Sequence, residues 1–363
     1  MKISKLIKIS HLCLVVFFGI SMQSQTVTVS NTTQFLNALN NIENGSSTAS
    51  EIILEANTYS IPSTINLTSA HSGLKISGCE GVFINGGIVL DADDFQDFSS
   101  VNPGFILSNS SISDQIKVYD LSTLGIKVSD LGTFNHHGYG FSDEFSTPSM
   151  LWLDEEKMEL SRWPNKGAVM TDSQMILPSK WEDLRSKMHS AVSYYEILET
   201  GTKDSSTDGV KLTLDASLNA KLNSWSFYKN STEEIWMDGV VHSSWEWEYN
   251  QVANITNGEI KMQYGPNSSL TISSDGDRQV NSKTKVSHFH FENIPEELDI
   301  EGEYFIDREN MLLYFYPPSG WENKKLTLSI LNGDMFSIVG STGITLENLV
   351  IEAGLKNGIV IDD

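Results

Sequence analysis

The stretch from Phe336 to Asp363, FSIVGSTGITLENLVIEAGLKNGIVIDD, constrains the fold more than any other part of the chain. Short apolar pieces at Phe336 and Ile338, at Ile344, Leu346, Leu349 and Ile351, and at Ile359 and Ile361 are separated by Gly340 to Gly343, Gly354 and Asn357-Gly358. Within each piece inside and outside alternate with period two. Each break carries residues that tolerate φ > 0, so the pattern predicts strand, turn, strand, turn, strand. The step from Phe336 to Ile359, repeated from Ile338 to Ile361, is 23 residues, inside the range of roughly 20 to 50 for solenoid repeats. A single rung cannot bury its own apolar face and gains stability by stacking on neighbours. The stretch therefore predicts one turn of a coiled parallel β-structure whose next turn lies beyond residue 363.

The same rhythm is present near the start. Thr26 to Val29 reads as a short strand, and SNTTQFLNALNNI as an amphipathic helix capped by Ser30 or Asn31, with Phe35, Leu36, Leu39 and Ile42 on one face. Such a helix would cover the open end of a solenoid, whose terminal strands have unpaired backbone groups. Ile52 to Leu54, Ile65 to Leu67, Leu74 to Ile76, Val82 to Ile84 and Ile88 to Leu90 follow, each bounded by Gly, Asn, Pro or Ser, and the step from Ile52 to Leu74 is 22 residues.

Beyond Leu90 the rhythm is lost until about Leu326. Residues 96–324 hold all eight tryptophans and strands of no fixed period: Gln115 to Tyr119, Met150 to Leu153, Val192 to Leu198, Val210 to Leu214, Glu234 to Met237 and Glu259 to Met262. GEYFIDRENMLLYFYPP predicts a hairpin, with Glu303 to Ile306 paired to Met311 to Tyr316 and Pro317-Pro318 as its stop. WEDLRSKMHSAV alone looks helical there. The expected fold class is all-β. A right-handed parallel β-helix is interrupted by an antiparallel, β-sandwich-like insert and closed by an N-terminal capping helix. The expected divisions are a signal peptide (1–24), cap and first rungs (25–95), insert (96–324) and resumed helix (325–363).

Composition adds the compartment and the class of partner. MKISKLIK is basic, ISHLCLVVFFGI is apolar but short of the ~20 residues that span a bilayer, and small and polar residues follow from Ser21 to Gln25. This predicts a secretory signal cleaved after Ser21 to Ser24, and hence an exported protein without a membrane anchor once the signal is removed. Cys13 leaves with the signal, so Cys79 remains alone and no internal disulfide can form; a large core must hold the fold. Cys79, in SGCEG, is expected to be a buried strand-end residue. The formal charge is −23, and signal removal takes only lysines. That surface disfavours nucleic acid and anionic membranes and fits neutral carbohydrate better.

Three stretches carry a family resemblance: VTVSNTTQFLNAL with EIILEANTYSI, MLWLDEEKMELSRWPNKG, and ENIPEELDIEGEYFIDRENMLLYFYPP. With them the chain resembles secreted right-handed parallel β-helix proteins that carry a β-sandwich insert early in the helix, such as the family 141 α-L-fucosidase and xylanase group and the β-helical β-xylosidases. The resemblance covers nearly the whole mature chain. It implies the pectin lyase-like fold and a glycoside hydrolase acting on a polysaccharide or oligosaccharide. In such enzymes the catalytic carboxylates lie on rungs after the insert. No catalytic residue is therefore assigned here, and the chain is expected to be the N-terminal part of a longer protein, inactive alone.

The residues themselves offer sugar contacts rather than a reaction centre. Arg162, Trp163 and Asn165, with Trp245 and Trp247, combine flat apolar rings for the C–H face of a sugar with donors for its hydroxyls, the plain alternative being core tryptophans. His288 and His290, in HFH, share a strand face, but no third metal ligand stands at a telling spacing, and an ordinary strand surface is expected. His136-His137 is weaker still. DADDFQD lacks the glycine and closing glutamate of a calcium loop, and Asp362 and Asp363 point to opposite faces of one strand, so both read as solvated turns. No G-x-S-x-G, phosphate loop, H-E-x-x-H or paired C-x-x-C occurs. No metal or cofactor is expected. The readings left open beside the hydrolase are a polysaccharide lyase of the same fold and a non-catalytic carbohydrate-binding or adhesion protein.

Overall fold

The computed structural model describes residues 25–138, 147–165, 192–197, 210–214, 219–240, 247–256, 259–263 and 288–362. The expected signal peptide, nearly all of the WEDLRSKMHSAV segment, Trp245 and Asp363 lie outside them. The described residues are mostly strand with few helices, as the all-β expectation has it.

Three small sheets are parallel throughout. The first holds Gln25–Val29, Ala49–Leu54, Lys75–Ser77 and Thr345–Glu347. The second holds Asn57–Ser60, Val82–Asn85 and Val350–Glu352, and the third Ile65–Leu67, Phe336–Val339 and Ile359–Asp362. The chain visits the three in rotation, so the register stacks like on like. Ile52 lies beside Ile76 and Ile76 beside Leu346; Tyr59 beside Ile84 and Ile84 beside Ile351; Ile65 beside Phe336 and Phe336 beside Ile359. The step from Phe336 to Ile359 stands as read from the sequence. The earlier step does not: Ile52 pairs with Ile76, and Leu74 sits in the preceding turn, buried but outside the strand. An apolar residue that packs from a turn mimics the strand that follows it.

The helix Thr32–Glu43 covers this stack. Asn31 caps it, its side chain accepting from the Gln34 N–H at 3.0 Å, and Phe35, Ala38, Leu39 and Ile42 are buried. They join Ile52, Ile76, Ile84 and Phe336 in one apolar core. Cys79 corrects the expectation made for it. It is exposed, because the chain turns between Lys75–Ser77 and Val82–Asn85 at that point and leaves it outside both strands.

Lys75–Ser77 and Thr345–Glu347 are neighbours in one sheet, as are Val82–Asn85 and Val350–Glu352 in the next, so the chain between Asn85 and Phe336 is looped out of the stack. Its base is closed by an antiparallel pair. Gly87–Leu90, leaving the stack, lies against Leu326–Ser329, returning to it, with Leu90 opposite Leu326; Leu151–Leu153 and Glu156–Lys157 complete this sheet. A five-stranded sheet contains the expected hairpin, Glu303–Asp307 with Leu312–Phe315, Tyr304 opposite Phe315. Its turn is held by Asp307, whose carboxylate accepts from the Asn310 backbone at 2.9 Å and side chain at 2.8 Å. Among the described residues the largest sheet has eight strands and is antiparallel along its length. Its inner face, with Met237, Val252, Ile255 and Phe291, packs on Leu222 and Trp225.

Candidate functional site

The other face of the large sheet carries the chemistry. In its strand His288–Glu292 the phenylalanines and the polar residues alternate, so Phe289 and Phe291 turn to the core and His290 and Glu292 turn away from it. Antiparallel register then decides which residues meet, because opposed residues put their side chains on the same face. One row runs His137, Tyr249, Asp238, His290 across four adjacent strands. The next runs Gln251, Trp236, Glu292, Arg162, and the row on the opposite side contains Trp247 opposite Val240. Two glycines permit this packing. Gly138, at φ 101°, lets its strand approach the backbone of Trp247, where a Cβ would stand 2.2 Å from a carbonyl oxygen; Gly239, at φ 141°, follows Asp238 in the left-handed half of backbone space.

These rows wall a cleft of about 340 Å³ whose far side is formed by the antiparallel base through Lys157, the five-stranded sheet through Glu159 and Tyr304, and the turn after Val350–Glu352 through Leu355. At its floor the Tyr249 hydroxyl donates to Glu292, and the Tyr249 ring lies parallel to Trp236, centroids 5.0 Å apart. The His290 Nε2 stands 3.3 Å from Glu292 Oε2 and 4.0 Å from Asp238 Oδ2. All three ligand-type atoms lie within 4.8 Å of one another.

The two carboxyl groups are held in opposite senses. Burial pushes the Asp238 carboxyl up, and the nearby Glu292 charge adds to that against His290 and a hydrogen bond from Trp247. Burial also acts to raise Glu292, but it is outweighed by the hydrogen bond and charge of His290, the Tyr249 donor and the Arg162 charge, so Glu292 stays below the usual range. Tyr249 is pushed well above its ordinary value by burial and by Glu292. Burial lowers Arg162, with Glu159, Glu292 and Asp238 opposing.

Of the expected sugar contacts, Arg162 lines the cleft; Trp247 is not part of its lining but hydrogen-bonds Asp238, which is, and leaves 42% of its surface exposed. Trp163, next to Arg162 on a strand, points the other way: it packs on the inner core edge-on to Trp225, with Lys221 over its ring. Asn165 donates to Asp299 at 2.9 Å. Trp245 lies outside the described residues. His290 corrects the ordinary-surface expectation, because Asp238 and Glu292 face it. Glu292 was within reach of sequence reasoning, two residues on and so on the same face. Asp238 was not, since nothing local announces its register.

No known protein-family profile matches the chain, and no curated protein sequence matches it. A solved structure described as a glycoside hydrolase is similar in fold, with a TM-score of 0.51 and 11% identity. The likeness extends over 91% of this chain and 51% of that one, so the chain spans about half the length of its structural neighbour. The two share a fold.

Proposed function

We propose that this chain is the N-terminal part of a secreted, polysaccharide-active protein of the glycoside hydrolase class. The three parallel sheets are, in this reading, the walls of a right-handed parallel β-helix, and the looped-out region is its insert. The catalytic carboxylates lie on rungs that follow residue 363. Support for the longer protein comes from the structural neighbour, of which this chain spans about half the length.

The observation that carries the reading is the cleft between insert and stack. An exposed tryptophan bonded to Asp238, with an arginine and carboxyl groups along one wall, supplies what a neutral sugar needs: an apolar ring for its C–H face, and donors and acceptors for its hydroxyls. Arg162 and Trp247 are the contacts proposed for it; Trp163, turned to the inner core, is not one of them. The ligand is an oligosaccharide or polysaccharide, not nucleic acid or membrane.

Assaying the full-length gene product against a glycan panel for released reducing ends tests this reading. Release from a neutral glycan, weakened at least tenfold by Trp247→Ala or Arg162→Ala, is the expected result. Binding without release from any panel member would replace hydrolysis by adhesion, and products absorbing in the ultraviolet would replace it by elimination.

A further inference from the structure

In the trio Asp238, His290 and Glu292 one hydrogen bond joins His290 to Glu292, and the Asp238 carboxylate faces the same ring nitrogen beyond hydrogen-bond distance. The His290 Nε2 is 3.3 Å from Glu292 Oε2, a long hydrogen bond, and 4.0 Å from Asp238 Oδ2, beyond the reach of one. Separations of this size are the edges of a coordination polyhedron. A tetrahedral ion with bonds of about 2.0 to 2.1 Å places its ligand atoms roughly 3.4 Å apart, and small shifts of two side chains would bring all three atoms to that distance.

The three residues are also held as a site must be held. Each lies on a strand of the large sheet, Asp238 directly opposite His290 and Glu292 two residues further on the same strand and face. Strands fix such positions better than loops do. The neighbours select among ions. Arg162, opposite Glu292, offsets one carboxylate, which weakens the site for a cation held by charge alone, such as calcium. An imidazole with two carboxylates suits a borderline ion of the zinc class, and three protein ligands beside an open cleft leave a position for water or for a ligand oxygen.

We propose that Asp238, His290 and Glu292 bind one divalent transition-metal ion of the zinc class, with an open coordination position facing the cleft. The hydrolase reading needs no metal, and the inference does not rest on it. The ion holds a water or a sugar oxygen against the wall that Trp247 and Arg162 complete.

The test uses the full chain, freed of metal by chelator and dialysis, with no glycan present. Cobalt(II) is titrated as a visible probe, and zinc content is then measured after gel filtration. The expected result is one zinc per chain and cobalt absorption bands stronger than those of the aqueous ion. Asp238→Asn and His290→Gln should each weaken binding at least tenfold. Asp93→Asn, in the acidic turn after Leu90, should leave uptake unchanged. The conservative Asp238→Asn guards against a folding failure in His290→Gln, with circular dichroism as the check. Absence of stoichiometric uptake by the unaltered chain would overturn the proposal, as would uptake that survives both substitutions in folded protein.

Discussion

Asp238 and His290 face each other across two antiparallel strands, the Nε2 of one 4.0 Å from the Oδ2 of the other, although 52 positions separate them in the chain. The pairing is made by backbone register and not by any local signal. It also explains why Tyr249 is buried: Tyr249 stands opposite Asp238 on the next strand over, in the same row. What sits in this row is therefore set by how four strands align, and each member constrains the others.

Tyr249→Phe removes the hydroxyl that donates to Glu292 and leaves that half-buried acceptor with His290 but one partner fewer. The ring and its stacking on Trp236 are retained. The expected cost is about 1 to 3 kcal/mol, read from denaturant unfolding, and the Glu292 carboxyl should titrate higher than in the unaltered protein because one of the groups that lower it is gone. An unchanged unfolding midpoint would show that the hydrogen bond is immaterial.

Glu303 should make stability fall as pH rises. Its side chain accepts from the Asp299 and Ile300 backbones at 3.0 and 3.1 Å, yet burial wins and pushes its carboxyl up to about 8. The folded state thus holds a proton that the unfolded chain releases near its ordinary value of 4.5. Stability is fully present below that value and declines towards pH 8 by up to about 1.4 kcal/mol per unit. Glu303→Gln keeps an acceptor for both N–H groups and cannot ionise. It should be nearly neutral at pH 5 and stabilising at pH 8.5, as measured by urea unfolding at the two values.

Glu297 ties three distant parts of the looped-out region together. It accepts from the Trp225 indole at 2.7 Å, the Ser108 hydroxyl at 3.0 Å and the Lys221 ammonium at 2.5 Å. Glu297→Ala strands a buried indole N–H and a cation, and the expected loss is about 3 to 5 kcal/mol. Lys221→Ala should cost less, because Lys221 is partly exposed and the other two donors still satisfy the carboxylate. Equal losses for the two variants would contradict this ordering.

The legible parts of the fold were those fixed by short-range pattern. The period from Phe336 to Ile359, the capped helix after Asn31 and the hairpin at Asp307 each follow from residues within one repeat, and the pairings observed agree. The cleft is different in kind. Arg162 and Trp247 were visible as residue types, but their placing beside Asp238, His290 and Glu292 depends on the register of four strands drawn from across the looped-out region. Cys79 and Leu74 show the same limit on a smaller scale: whether a residue at a strand end points in or out turns on where the strand stops, by a residue or two.

The edge strand Ile359–Asp362 should drive self-association. It is the outer member of its sheet, with Ile361 75% exposed and Ile359 and Val339 also open to solvent. An exposed strand edge bearing apolar side chains is a template for another strand. Residues 25–363 produced alone should therefore associate with rising concentration, measured by light scattering or sedimentation velocity. Ile361→Lys places a charge on that edge without touching the core, since Ile361 buries little. It should shift the population towards monomer while leaving the unfolding midpoint within about 0.5 kcal/mol of the unaltered chain. Association that persists unchanged in Ile361→Lys would mean that another surface is responsible.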